Sequence, residues 1–228
     1  NGKALARNRS ALTRLLNDVF HSARFDEAER VRELVAQIRA RREQAVTGSG
    51  HGLAMGAASQ GMSPGAWLSF RIGGLEAIRG TKALDKALDD PAELQAFCNR
   101  LAALHEKVRQ QTREFLVIGE QDQLDPMLDD LKSCWKPVAA TAGEPWKMAP
   151  VNYATREAWV TSTQVNFCAK AYSTVAVDHP DAAALTVLGG FLRNGYLHRA
   201  IREKGGASGG GAGQDSVNGA FRFFSYRD

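Results

Sequence analysis

The chain is poor in the residues that usually announce metal or thiol chemistry. Three cysteines occur among 228 residues, Cys98, Cys134 and Cys168, far apart and without a CxxC pair. An odd, scattered set in apolar surroundings excludes a disulfide framework and a thiolate zinc site. It suits reduced core thiols in an intracellular protein. No residue near them offers the base that a catalytic cysteine needs. Histidine is equally sparse: His21, His51, His105, His179 and His198. None lies in an HxxEH, the helical pattern that puts two zinc ligands and a catalytic glutamate together. His105-Glu106 opens an HExxH, but Arg109 holds the second histidine's place. Arginine stays protonated and cannot replace a ligand. Beside its glycines His51 is expected in a turn or packing role, and His198 on a helix surface, with a place along a substrate channel as its alternative. No apolar run approaches ~18 residues, which predicts no membrane span, and no signal peptide is visible. A phosphate loop is excluded too. GxxxxGK[ST] is absent, and no GxGxxG runs through residues 205–216.

What remains is ordinary for a globular protein: 44% hydrophobic and 24% charged residues. The length allows one large domain or two smaller ones, with enough core to be stable without staples. The net charge of +4 is concentrated at the front, where residues 1–50 hold ten Lys/Arg and six Asp/Glu. Interleaved acids such as Asp26, Glu27, Glu29 and Glu33 make that a solvated helix face, so no nucleic-acid partner is expected. The start at Asn1 and the strand-like end at Asp228 predict a piece of a longer protein.

Helical periodicity dominates the first half. Leu12, Leu15, Leu16 and Val19 form one stripe, with Asn8 as its cap. Val31, Leu34, Val35 and Ile38 form a second, started by a capping box from Asp26 and Glu29. Residues 47–63 are glycine-rich and break the pattern. Ser63-Pro64 opens a third helix with Leu68, Ile72, Leu75 and Ile78 on its buried face. Asp90-Pro91 opens a fourth along Leu94, Phe97, Leu101, Leu104 and Val108. Residues 115–118 read as a short buried strand, and Asp125-Pro126 opens a last helix to Trp135. Residues 138–150 form a linker. Beyond it Trp159, Thr161, Thr163, Val165 and Phe167 alternate as in a half-buried strand. Asp178 caps a helix through Leu185, Leu188 and Phe191, and a strand is predicted around 220–226.

One stretch looks built for more than folding. Residues 191–213 read FLRNGYLHRAIREKGGASGGGAG. Leu192, Tyr196, Leu197 and Ile201 predict a helix up to Lys204, stopped by Gly205 in the left-handed position. The glycines beyond it read as a loop whose backbone a ligand can approach closely. Arg202 sits in the helix's last turn, facing that loop or the solvent beside it. Taken alone, the run is equally a flexible connector.

HRAIREKGGASGGGAGQDSVNGAFRFFSYRD closely resembles the last homologous domain of the presequence proteases, within the insulinase/pitrilysin family of zinc peptidases. Phe25-Asp26-Glu27, the Ser49-Gly50-His51 turn, the Pro64 helix ending near Gly74-Leu75, and Lys3 to Asn8 resemble that family's third domain. The resemblance implies an α+β fold of two-layer sandwich domains, helices packed on mainly antiparallel sheet. It assigns residues 1–137 to the later part of domain three and residues 151–228 to the opening part of domain four. In the family, an arginine and a tyrosine of an REKGGAYGGG-like run reach to another domain's zinc site and hold substrate backbone. Arg202 matches the arginine; Ser208 stands where the tyrosine is expected. The implied function is the non-catalytic C-terminal part of a zinc metalloendopeptidase that degrades enclosed unstructured peptides. Zinc and base would come from the N-terminal half of the same polypeptide, leaving no metal in this chain. The alternative is an inactive scaffold of the same fold: Ser208 favours it, whereas Arg202 and the glycines favour the peptidase. The expected setting is intracellular. An Ala-, Arg- and Gly-rich composition points to a bacterial cytoplasm, with an organelle matrix as the alternative.

Overall fold

A computed structural model describes residues 1–138, 146–206 and 208–227. The expected linker at 138–150 therefore lies mostly outside the described residues; its described part, 146–150, has no regular element. The chain is α+β: among the described residues eight α-helices accompany three strands. It divides into two compact units, Asn1–Glu33 with Ala87–Pro145, and Leu34–Lys86 with Trp146–Asp228.

The first unit contains a 3₁₀ turn at Ala6–Asn8, α1 (Arg9–His21), the start of α2 (Ala28–Gly48), α6 (Pro91–Arg109) and α7 (Gln121–Cys134). Asn8 does occupy the cap position of α1, though without a side-chain bond. α1 packs on α7: Ser10 Oγ donates to Asp130 at 2.8 Å, and the Arg9 guanidinium lies 3.1 Å from the same carboxylate. Leu12, Leu16 and Phe20 turn inward, while Leu15 and Val19 are exposed. Phe20, Phe25, His105, Trp135 and Phe115 form an aromatic cluster, with the Arg113 guanidinium 4.9 Å from the Phe20 ring. Asp90 caps α6 as expected, accepting the Ala92 N–H at 2.8 Å, and Leu94 and Cys98 are buried.

Several expectations are corrected here. Asp26 makes no capping box; Arg24 engages its carboxylate and holds it below the ordinary carboxylate range. α7 begins at Gln121 and carries Pro126 in its interior, one ladder donor fewer, rather than starting at the proline. Residues 115–118 form no strand: Leu116 and Ile118 are exposed, because no described strand pairs with them. Leu104 and Val108, at the far end of the α6 stripe, are exposed as well.

The second unit holds the rest of α2, then α3 (Gly50–Ser59), α4 (Pro64–Gly73), α5 (Leu75–Ala87), β1 (Ala169–Ser173), α8 (Ala182–Leu192), a π-helical segment (Arg193–Glu203), β2 (Gly209–Asp215) and β3 (Ala220–Tyr226). The expected glycine break at 47–63 is mostly helix: only Ser49 separates α2 from α3. Ser63 caps α4 by accepting the Ala66 N–H at 3.1 Å, with Pro64 in the first turn. The expected third helix ends at Gly73, and α5 begins after an extended Gly74. Its buried face is Ala66 and Phe70, not Ile72, which is exposed. Arg42 on α2 ties this junction together. Its guanidinium donates to Ala77 O at 2.9 Å, to Ile72 O at 3.1 Å and to the Thr81 hydroxyl.

The sheet has the order β1-β3-β2, all antiparallel, with Ala169 opposite Phe224 and Ala212 opposite Phe223. α3 packs on β1 and β3; α8 and the π segment pack on β2. Leu197, Ala212 and Phe221 are the buried centre, flanked by Leu185, Leu192, Ile201 and Phe223. Residues 159–167 form no strand. Val165 and Phe167 are still half-buried between exposed neighbours, so the alternation is real, but no described strand hydrogen-bonds to it. Cys168 is exposed rather than a core thiol. Asp181, not Asp178, occupies the cap position of α8.

Candidate functional site

The expected loop of glycines is not a loop. β2 runs through Gly209, Gly210, Gly211 and Gly213 as an edge strand paired with β3. The absent side chains are used for packing. A Cβ on Gly210 would stand 2.6 Å from the Ile201 side chain, and one on Gly211 2.7 Å from the Phe224 ring. Behind the strand, Gly189 of α8 meets Gly213 and Ala212 so closely that a Cβ there would lie 2.9 Å from Gly213 Cα. Helix and strand approach at main-chain distance, and this fixes where α8 leads.

It leads into the π segment. Its winding ends at Glu203, where the Lys204 N–H still reaches five residues back to Arg199 O at 3.0 Å. The chain then reverses at Gly206, with φ +75°, one residue later than expected. Gly205 is needed for a different reason: a Cβ would stand 2.7 Å from Ile201 O. Leu197 and Ile201 point into the core, so Arg202 is left outward.

Arg202 is exposed at the end of the π segment, and Ser208 is exposed just before β2. The two flank one turn. Arg202 carries no ion pair or side-chain hydrogen bond among the described residues. Its guanidinium therefore faces water, able to hold a carbonyl oxygen or carboxylate in fork geometry. His198, one π turn earlier, has Nδ1 at 3.3 Å from Glu203 Oε1.

The histidines are otherwise engaged in packing. His51 lies in α3 with its ring 4.9 Å from Tyr226 and 5.6 Å from Phe224. His105 packs on Phe20 and Phe25, while Glu106 binds Arg109 at 3.1 Å, so the half-motif at 105–109 is tied up in the helix surface. Among the described residues no three His, Cys, Asp or Glu converge on a point.

Sequence reading missed a charged cluster at the β2–β3 hairpin. Asp215 Oδ1 accepts the Asn218 N–H at 3.1 Å, Oδ2 accepts the Asn218 amide at 2.8 Å, and Arg222 pairs with the same carboxylate. Burial works to raise this carboxyl, but the Asn218 bonds and the Arg222 charge outweigh it and hold it below the ordinary value. The cluster borders a cavity of about 320 Å³ reaching Gly56 and Phe70. The D-S-V-N spacing, an Asx turn at a hairpin, was the available signal.

Comparison with known proteins accounts for both ends of the chain. A family model for a peptidase-associated region matches residues 1–84, and the one described as "PreP C-terminal domain" matches residues 156–228. The mitochondrial presequence protease of Yarrowia lipolytica is 28% identical over 232 residues, covering 100% of this chain and 23% of that protein. The mitochondrial presequence protease of Danio rerio is 27% identical over 250 residues, covering 100% and 24%. Presequence protease 1, chloroplastic/mitochondrial, of Arabidopsis thaliana is 27% identical over 239 residues, covering 100% and 21%. The chain thus spans between a fifth and a quarter of the length of these curated relatives.

Proposed function

Starting from a chain that is presequence protease-like over its whole length, we propose that it is a non-catalytic C-terminal part of a zinc metalloendopeptidase. In this reading residues 1–137 close domain three and residues 151–228 open domain four, each a two-layer sandwich of the insulinase type. Zinc and the catalytic base come from the N-terminal half of the same polypeptide. In support, His105 and Glu106, the one partial zinc motif, are committed to packing and to Arg109. The substrates are unstructured peptides, and the chain's own contribution is to hold them. The compartment we favour is an organelle matrix, as in the relatives' names; nothing supports the bacterial cytoplasm expected from composition.

The observation that carries the reading is Arg202: an outward guanidinium, without a partner among the described residues, on a closely packed turn. A peptide bond under attack develops negative charge on its carbonyl oxygen. A fixed guanidinium stabilises that charge, or keeps the neighbouring backbone in register, without losing a proton. One observation favours a second reading, an inactive scaffold of the same fold. Ser208 stands in the expected tyrosine position, and its hydroxyl is several ångströms shorter in reach than a phenol.

Both readings are tested in the full-length polypeptide on an unstructured peptide. A charge-assisted hydrogen bond is worth roughly 1.5–3 kcal/mol. Arg202→Ala should therefore lower kcat/KM roughly ten- to a hundredfold, with thermal unfolding unchanged because the side chain is exposed. Full activity in that variant refutes the substrate-holding role. Ser208→Tyr should raise activity if serine weakens a working site, and change nothing if the site is abandoned.

A further inference from the structure

α8 is apolar all the way round. Its 11 residues, Ala182–Leu192, include no charged side chain. The hydroxyl of Thr186 donates to Ala182 O at 3.0 Å, so it is engaged by the helix's own backbone. One face is used: Leu185, Gly189 and Leu192 lie against β2 and the core. The other face is not. Ala184, Val187, Leu188 and Phe191 recur at i, i+3, i+4 and i+7, a full helical stripe. All four are exposed, Val187 by 72% and Phe191 by 73%. The principal neighbours of α8 among the described residues are β2 and the π segment.

A helix that is apolar on every side belongs in an interior. Single surface hydrophobics are ordinary, and α1 shows the ordinary form: its exposed Leu15 and Val19 are interleaved with Arg14 and Asp18. On α8 no charge lies between Asp181 and Arg193. Contacts that form and release typically carry a polar, solvent-accessible rim; this stripe has no charged one along its length. We infer that the outer face of α8 is a permanent docking surface for an apolar surface on the same polypeptide, outside these 228 residues. The chain covers 21–24% of the length of the curated relatives described above, so in the reading proposed for it most of the polypeptide lies elsewhere. A covalently joined partner is always present, which suits a face with no charge to keep it soluble alone. The inference rests on reading the chain as part of a longer polypeptide, and not on Arg202.

Hydroxyl-radical footprinting with mass spectrometry reads these side chains one at a time in the full-length polypeptide, native and urea-unfolded. Without added peptide, and at every dilution, Val187, Leu188 and Phe191 should lose their reactivity in the native state, down to the level of buried Leu197. Phe191→Lys should lower the Tm of the full-length polypeptide by roughly 4 °C or more, the shift expected of a charge placed in a buried contact. Native reactivity equal to that of the unfolded polypeptide overturns the inference, as does an unchanged Tm in Phe191→Lys. Protection that appears only with added unstructured peptide makes the face a substrate wall, and protection lost on dilution makes it a contact between copies; either result overturns it. Arg202→Ala, assayed in the same preparation, keeps the two readings apart. An unprotected α8 face with an impaired Arg202→Ala refutes only this inference. A protected face with a fully active Arg202→Ala refutes only the substrate-holding reading.

Discussion

Two adjacent glycines on α8 should respond oppositely to the same added methyl group. Replacing glycine by alanine within a helix contributes about 1 kcal/mol through backbone entropy alone. At Gly190 nothing lies within 4 Å of the new Cβ, so Gly190→Ala should keep that gain and stabilise the chain by about 0.5–1 kcal/mol. At Gly189 the new Cβ would stand 2.9 Å from Gly213 Cα, 3.1 Å from Ala212 O and 3.4 Å from Ala212 C. All three are backbone atoms of a hydrogen-bonded strand, which cannot swing aside as a side-chain end does. Overpacking of this kind typically costs about 1–3 kcal/mol. The cost outweighs the gain, and Gly189→Ala should lose up to about 2 kcal/mol. Comparing the two variants cancels the propensity term and isolates the clash, so the gap between them should be about 1–3 kcal/mol. Urea unfolding of the chain, followed by far-UV circular dichroism, measures both with one protocol. If the two variants shift stability in the same direction by the same amount, α8 does not meet β2 at main-chain distance.

Further outcomes follow from other contacts. Arg42→Ala removes donors to two carbonyls and a hydroxyl at the α4–α5 junction and should cost about 2 kcal/mol in the same unfolding assay. A loss below about 0.5 kcal/mol would show that the clamp is not needed. Asp215 has its carboxyl held below the ordinary value in the folded chain, so its contribution is fully present above the unfolded pKa of about 4 and is lost as pH falls through the lower folded value. Asp215→Asn should therefore reduce the fall in stability on acidification below about pH 4; an unchanged acid slope across a pH series of urea melts argues against it.

The helices with chemical punctuation were legible in the sequence. Ser63-Pro64 and Asp90-Pro91 start α4 and α6 where expected, because a capping side chain and a first-turn proline act locally. Asp125-Pro126 misled for the same reason: the proline lies inside α7, where packing on α1 tolerates its missing bond. Strands were harder. The alternation at 159–167 and the apolar run at 115–118 report what a partner strand would bury, and a partner is a non-local fact. For the proposed site, the motif nominates Arg202 and Ser208. The π winding was not legible, because no local residue preference marks it. Neither was the seating of β2, which depends on Gly189 of the preceding α-helix.

The glycine run carries a practical consequence for anyone engineering this protein. GASGGGAG has the composition of a man-made spacer, and it would be an obvious place to splice a tag, a fluorophore-bearing cysteine or a permuted terminus. In the folded chain its second half is a paired strand with two positions that admit no side chain unless a neighbour moves. Gly210 is closed off by Ile201 and Gly211 by the Phe224 ring. An insertion there would shift the register of Ala212 opposite Phe223 and move every later residue of the strand to the wrong partner. Composition alone would nominate as the softest point of the chain the strand on which the helix bearing Arg202 is seated.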